Sequence, residues 1–186
     1  MALMMQAARS VLVLVDYQAR LMPAIDQSDR VVAEAVLLAD AARTLGIRVL
    51  GTEQNPAGLG PNTAPVRERC DRVLAKTHFD GCADGLVEAL LEGRAEGDRP
   101  DVVIAGCESH VCLLQTVLGL LGHGFLVWVV ESACGSRRAS DKQAAMRRLR
   151  DAGAMRVTTE MVLFEWLGGC THPEFKTVLQ QIKRHG

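Results

Sequence analysis

The sequence predicts a three-layer α/β/α sandwich around a six-stranded parallel sheet, a Rossmann-like arrangement. Three observations carry this. Short apolar, β-branched runs alternate with segments of helical length along the whole chain, the pattern of βαβ units. Those runs are apolar at consecutive positions, as in VLVLV at 11–15 and VVIAG at 102–106, which suits strands covered on both faces. The 186 residues contain no internal repeat and no linker, so they suit one domain over 1–186 with a substantial core.

Val11–Val15 reads as the first strand and a central one. Asp26–Leu45 then sets Val31, Val32, Ala35, Leu38 and Leu45 at helical spacing, and Gly46 ends that helix. Ile47–Gly51 is the second strand, and the Pro- and Gly-bearing Asn55–Pro65 is a loop. Arg72–Lys76 is the third strand, Gly81–Leu91 a helix and Glu92–Pro100 a polar connection. Val102–Gly106 forms the fourth strand and feeds a helix from Ser109 to Gly122. Phe125–Val130 is the fifth strand, Asp141–Ala152 an Arg-rich helix and Met155–Thr158 a short sixth strand. Two helices, Glu160–Leu167 and Pro173–Lys183, close the chain.

Composition narrows the functional classes. Hydrophobic residues make up 48% and charged residues 23%, and the net charge of −1 comes from interleaved signs. Nucleic-acid and membrane-surface partners need a concentrated basic face, so a small-molecule partner is expected instead. The apolar opening Met1–Val15 is interrupted by Arg9 and followed by Asp16. It is too short for a membrane span and lacks a cleavage pattern, so a cytoplasmic location is expected. The six cysteines (70, 82, 107, 112, 134 and 170) have no CxxC spacing. They read as thiols in a reducing compartment rather than zinc ligands.

Open parallel sheets bind ligands beyond the carboxyl ends of their strands. The first strand ends at Asp16 and the third at Lys76, while the fourth runs through Gly106–Cys107–Glu108–Ser109–His110–Val111 to Cys112. Alone, Asp16 reads equally as a turn cap, whereas Lys76 alone reads as a solvated lysine and Cys112 alone as a core thiol. Together they supply an acid, a base and a thiol at one edge. A thiol near its ordinary pKa of about 8.5 is mostly protonated at neutral pH, so a nucleophile needs help. A helix start and a lysine favour thiolate at Cys112, and an aspartate can take the proton and return it. On that reasoning Cys112 is expected to be the most readily alkylated thiol. Gln18, Leu21, Gln54, Asn55, Phe79 and His110 are placed to line a substrate pocket, and His110 reads equally as a structural histidine.

The stretches VLVLVDYQ, VLAKTHFDG and VVIAGCESHVCLLQT resemble the three active-site blocks of the isochorismatase-like cysteine hydrolases, in order and over nearly the whole chain. TEQNPAGLGP and VLFEWL…HPEFK are similar to isochorismatase-domain-containing proteins of unassigned substrate. The resemblance implies Asp16 as general base, Lys76 as its tuning partner and Cys112 as nucleophile. It also implies a non-proline cis peptide between Cys107 and Glu108, turning the Glu108 N–H toward that of Cys112 as a two-donor oxyanion hole. Related nicotinamidases hold a metal with Asp and His near the second strand, whereas this chain has Thr52, Glu53, Gln54 and Asn55 there. Neither metal nor cofactor is therefore expected. Isochorismatases proper lack the cysteine, so Cys112 argues against vinyl-ether hydrolysis. The implied activity is metal-independent hydrolysis of a small amide-type (C–N) or related carbonyl substrate. Two rivals stay open: a catalytically quiet interaction or regulatory module, and a thiol redox sensor using Cys112 and Cys107. Apolar residues in the closing helices, Trp166 and Phe175 among them, suggest a homo-oligomer.

Overall fold

The computed structural model describes residues 4–185; Met1–Leu3 of the apolar opening and Gly186 lie outside the described residues. The strands are β1 (Ser10–Val15), β2 (Arg48–Gln54), β3 (Arg72–Lys76), β4 (Asp101–Gly106), β5 (Leu126–Val130) and β6 (Met155–Val157). All neighbours pair in parallel, in the order β3-β2-β1-β4-β5-β6. The chain runs outward from β1 through β2 to β3, crosses back to β4 on the other flank of β1, and runs outward again. The crevice where the winding reverses therefore opens between the carboxyl ends of β1 and β4. Every residue of β1 and β4 is buried, which explains their unbroken apolarity: helices cover both faces.

The helices are α1 (Ser28–Thr44), α2 (Pro56–Leu59), α3 (Ala64–Arg67), α4 (Leu86–Leu91), α5 (Leu114–Gly122), α6 (Ala139–Asp151), α7 (Thr159–Leu167) and α8 (Phe175–His185). Helices α1, α7 and α8 pack on one another, and α5 packs against α6, so right-handed crossovers assign the two groups to opposite faces of the sheet. Trp166 is held inside the first group, its indole N–H donating to Ser10 Oγ at 2.9 Å.

Several boundaries differ from the sequence reading, each for a local reason. Strand β2 continues to Gln54 because Thr52, Glu53 and Gln54 pair with Leu74, Ala75 and Lys76. Polar residues thus end a strand that apolarity alone would stop at Gly51. The 55–65 loop holds two single turns, α2 and α3, each with proline in its first turn, where the missing N–H costs nothing. The segment 81–91 breaks at Gly85, whose φ of 95° only glycine adopts readily. The helix beginning at Ser109 starts as a π-helical segment, Ser109–Leu113, before α5.

Gly106 marks the tightest point of the sheet. A Cβ there would lie 2.4 Å from Val15 O and 2.5 Å from Val15 Cβ, whereas one on exposed Gly122 would meet nothing within 4 Å. Gly106→Ala should therefore cost about 1–3 kcal/mol or more by forcing β4 from β1. Gly122→Ala should be neutral or stabilise by about 0.4–1 kcal/mol. Urea denaturation midpoints test the pair, and equal stability of the two variants would contradict the close approach.

Candidate active site

Asp16 follows β1 immediately, with a left-handed backbone (φ 55°) and no exposed surface. A non-glycine residue in that region is uncommon and often sits at a functional site. Its main-chain N–H donates to Thr52 C=O at 3.2 Å, and the Thr52 hydroxyl donates to Asp16 Oδ1 at 2.7 Å. The register that sets Val15 beside Thr52 produces this contact. Lys76 ends β3, across the end of β2 from Asp16. Its Nζ lies 2.7 Å from Asp16 Oδ2, with the side chains 1% and 0% exposed. Oδ2 nevertheless receives no directed hydrogen bond. The ammonium instead donates to Gln54 Oε1 at 2.6 Å and lies 3.4 and 3.5 Å from the carbonyls of His78 and Phe79. The ion pair is a short charge contact, with Thr52 on one carboxylate oxygen and the ammonium facing the other.

Cys112 sits in the π-helical first turn, 6% exposed, with Sγ 3.9 Å from Gln54 Oε1. Asp16, Lys76 and Cys112 thus come together from the ends of β1 and β3 and the π-helical segment before α5, with Gln54 Oε1 touching both Lys76 and Cys112. Their electrostatics differ from the sequence reading. Burial first, then the Asp16 carboxylate, push the thiol up to about 12, while Lys76 pulls it down by less. The expectation of a favoured thiolate is corrected, while among the six thiols Cys170 alone is exposed.

The peptide joining Cys107 to Glu108 is cis. Cys107 N–H donates to Val15 C=O at 2.9 Å, and the Glu108 carboxylate is held by Arg137 Nε at 2.7 Å. Among the described residues, the Glu108 N–H donates to no protein acceptor. The loop after β5 stitches this turn in place: Ser109 gives both its N–H and its hydroxyl to Gly135 C=O, at 2.7 and 2.8 Å.

Two residues expected along a pocket wall are internal braces. Gln18 is fully buried, its amide donating to Gln54 and Gly60 carbonyls and accepting from Gln54 N–H. Gln54 is 8% exposed, and besides accepting from Lys76 it donates to Thr77 C=O at 2.8 Å. Leu21 and His110 are half-buried, Asn55 is exposed, and Phe79 is 50% exposed at the same edge. His110 Nδ1 lies 3.0 Å from Ser136 Oγ, a side-chain partner rather than the loop backbone. Sequence reasoning missed the Thr52 bond to Asp16 and the bonds that Thr116, buried four residues after Cys112, makes to Phe79 C=O and Gly81 N–H. The available signal was i, i+4 spacing, which puts Cys112 and Thr116 on one helix face. Among the described residues, no three His, Cys, Asp or Glu side chains are grouped as metal ligands.

Residues 10–161 match the family model described as the isochorismatase domain. The chain is 35% identical over 177 residues to isochorismatase domain-containing protein 2A of Mus musculus, covering 94% of this chain and 82% of that one. It is 36% identical to isochorismatase domain-containing protein 2 of Homo sapiens, over 94% and 83% of the two chains. Among solved structures it is similar to the MAR1 ribonuclease from Caenorhabditis elegans, with TM-score 0.89 and 32% identity over 97% of this chain and 92% of that one.

The buried pair makes a stability prediction. Removing one member of such a pair leaves an uncompensated charge, so Lys76→Met should cost about 3–5 kcal/mol. Combining it with Asp16→Asn should cost less than the two single losses added. A urea double-mutant cycle measures this, and a Lys76→Met loss below about 1 kcal/mol would mean that the pair is solvated.

Proposed function

The chain belongs to the isochorismatase domain family, and on that premise we propose that it is a metal-independent cysteine hydrolase of small amide-type or related carbonyl substrates. Family membership supports the hydrolase role. The observation that carries the mechanism is the buried Asp16–Lys76 contact, which Gln54 Oε1 joins to the Cys112 thiol. A thiol pushed up to about 12 rests neutral, so its proton must leave as the nucleophile attacks. Asp16 accepts it. The sulfur forms a bond to the carbonyl carbon, the C–N bond breaks, and the leaving nitrogen takes the proton from Asp16. Water, deprotonated by Asp16, then cleaves the thioester and the thiol regains its proton. The unengaged Glu108 N–H, with that of Cys112, suits stabilisation of the oxyanion. Lys76 faces the Asp16 carboxylate each time it is regenerated, and Gln18, Thr52 and Gln54 hold the two groups in place.

The similarity to a protein named as a ribonuclease raises a second reading, RNA cleavage. The interleaved charge and net −1 favour a small molecule, since RNA binding draws on concentrated positive charge. A homo-oligomer fits as well, on different residues from those first suspected. Trp166 is 3% exposed and Phe175 packs against the core, whereas Met161 and Phe164 on α7 are 47% and 43% exposed. Six free thiols suit a reducing cytoplasm.

Small amides, ureides and nitriles should be screened by mass spectrometry for an adduct on Cys112, with RNA as a parallel substrate. Turnover should survive exhaustive chelation and fall at least 1,000-fold in Cys112→Ala, on the order expected for loss of a nucleophile. RNA cleavage that persists in Cys112→Ala would sink the reading. A second prediction separates base from electrostatics. Asp16→Asn should lower turnover roughly 100- to 10,000-fold by removing the base. The same change removes a charge that raises the Cys112 pKa, so alkylation of Cys112 by iodoacetamide at pH 8 should quicken. A parallel fall in both rates would contradict these roles.

A further inference from the structure

The hydrolase reading leaves one part of the molecule unexplained, the loop Thr77–Gly81 between β3 and the turn before α4. It is fastened at both ends. At its start, Asp84 Oδ2 accepts the N–H groups of Thr77 and His78 at 2.7 and 2.8 Å, and Asp84 Oδ1 lies 3.1 Å from His78 Nδ1. At its end, Thr116 Oγ1 donates to Phe79 C=O at 3.3 Å and accepts from Gly81 N–H at 3.0 Å. Thr116 has no exposed surface, and it stands on α5, one helical turn beyond Cys112. Gly119 lets the loop approach this closely: a Cβ there would lie 2.5 Å from Asp80 Oδ2.

Between these fastenings, the carbonyls of His78 and Phe79 face the Lys76 ammonium at 3.4 and 3.5 Å. A lysine side chain has four rotatable carbons and three donors, and its point charge has no intrinsic orientation. Asp16 and Gln54 approach Nζ from β1 and β2, and the two carbonyls approach it from the loop. Gln54 Oε1 also touches the Cys112 thiol at 3.9 Å, but the loop is the contact of Lys76 that is fastened by hydrogen bonds to α5 itself. We propose that Thr116 and Asp84 are positioning residues, clamping the loop as a carbonyl cradle that sets the Lys76 ammonium relative to Cys112. This rests on the cysteine-hydrolase reading and deepens it.

The probe is iodoacetamide, and the readout is the rate of Cys112 alkylation against pH, by peptide mapping of the intact protein. Thr116→Val keeps the shape but removes both bonds, and Asp84→Ala loosens the other end. Asp84 is partly exposed, so its loss spares the core if Thr116→Val fails to fold. Either change should let Lys76 drift and weaken its pull on the thiol. The pH–rate curve should move upward by about one unit, roughly tenfold slower at fixed pH, while exposed Cys170 keeps its rate. Thr116→Ser, which retains the hydroxyl, should restore the original curve. A folded Thr116→Val or Asp84→Ala with an unchanged Cys112 curve overturns the clamp. If Asp16→Asn shifts Cys112 while neither loop variant does, the clamp falls and the base reading stands. If none of the three shifts it, both fall.

Discussion

A carboxylate and an ammonium, 2.7 Å apart and excluded from water, constrain the carboxyl edge of this sheet. Taking two such charges out of solvent costs several kcal/mol per ion, and their mutual attraction offsets it only when the remaining polar capacity is met. Much of the surrounding architecture meets that need. Thr52 bonds one carboxylate oxygen, Gln54 takes an ammonium proton, and two loop carbonyls surround the rest. Gln18 in turn fixes Gln54 through its backbone. The polar end of β2 follows from this pairing: a strand between two buried charges must carry side chains that serve both.

The same pair governs the thiol. A free cysteine activated only by a helix start and a lysine would rest as thiolate. Here burial and the carboxylate outweigh the lysine, so Cys112 rests protonated. The proposed hydrolase mechanism accordingly uses proton transfer during attack rather than a stored anion. Cys107 and Cys134 lie deeper, and burial raises both thiols, with Lys142 opposing the shift at Cys134 only in part, which weakens the redox-sensor alternative.

Backbone features sharpen the site where side chains alone would leave it loose. The left-handed Asp16, the glycine at 106 and the Cys107 N–H bonded to Val15 C=O hold the ends of β1 and β4 close together. The loop after β5 supports that turn from the far side, through Gly135 and Arg137.

The six strands, their parallel pairing and the placement of Asp16 and Lys76 at strand ends were legible in the chain. Consecutive apolarity reports two-sided burial, and strand ends report the ligand edge. Elements were located within a few residues where apolar periodicity was strong, as at α1 and β4. The polar extension of β2 escaped, because what holds Thr52–Gln54 in a strand is their pairing with β3. Gln18 and Gln54 looked like substrate contacts, because an amide near a strand end has the same sequence signature whether it faces a ligand or a carbonyl. Only the tertiary structure decided which they met. It also decided the sign of the Cys112 shift, since desolvation and the field of Asp16 depend on distances between groups that are far apart in sequence. Local pattern determines which face a residue takes; the free energy of a charge depends on everything packed around it.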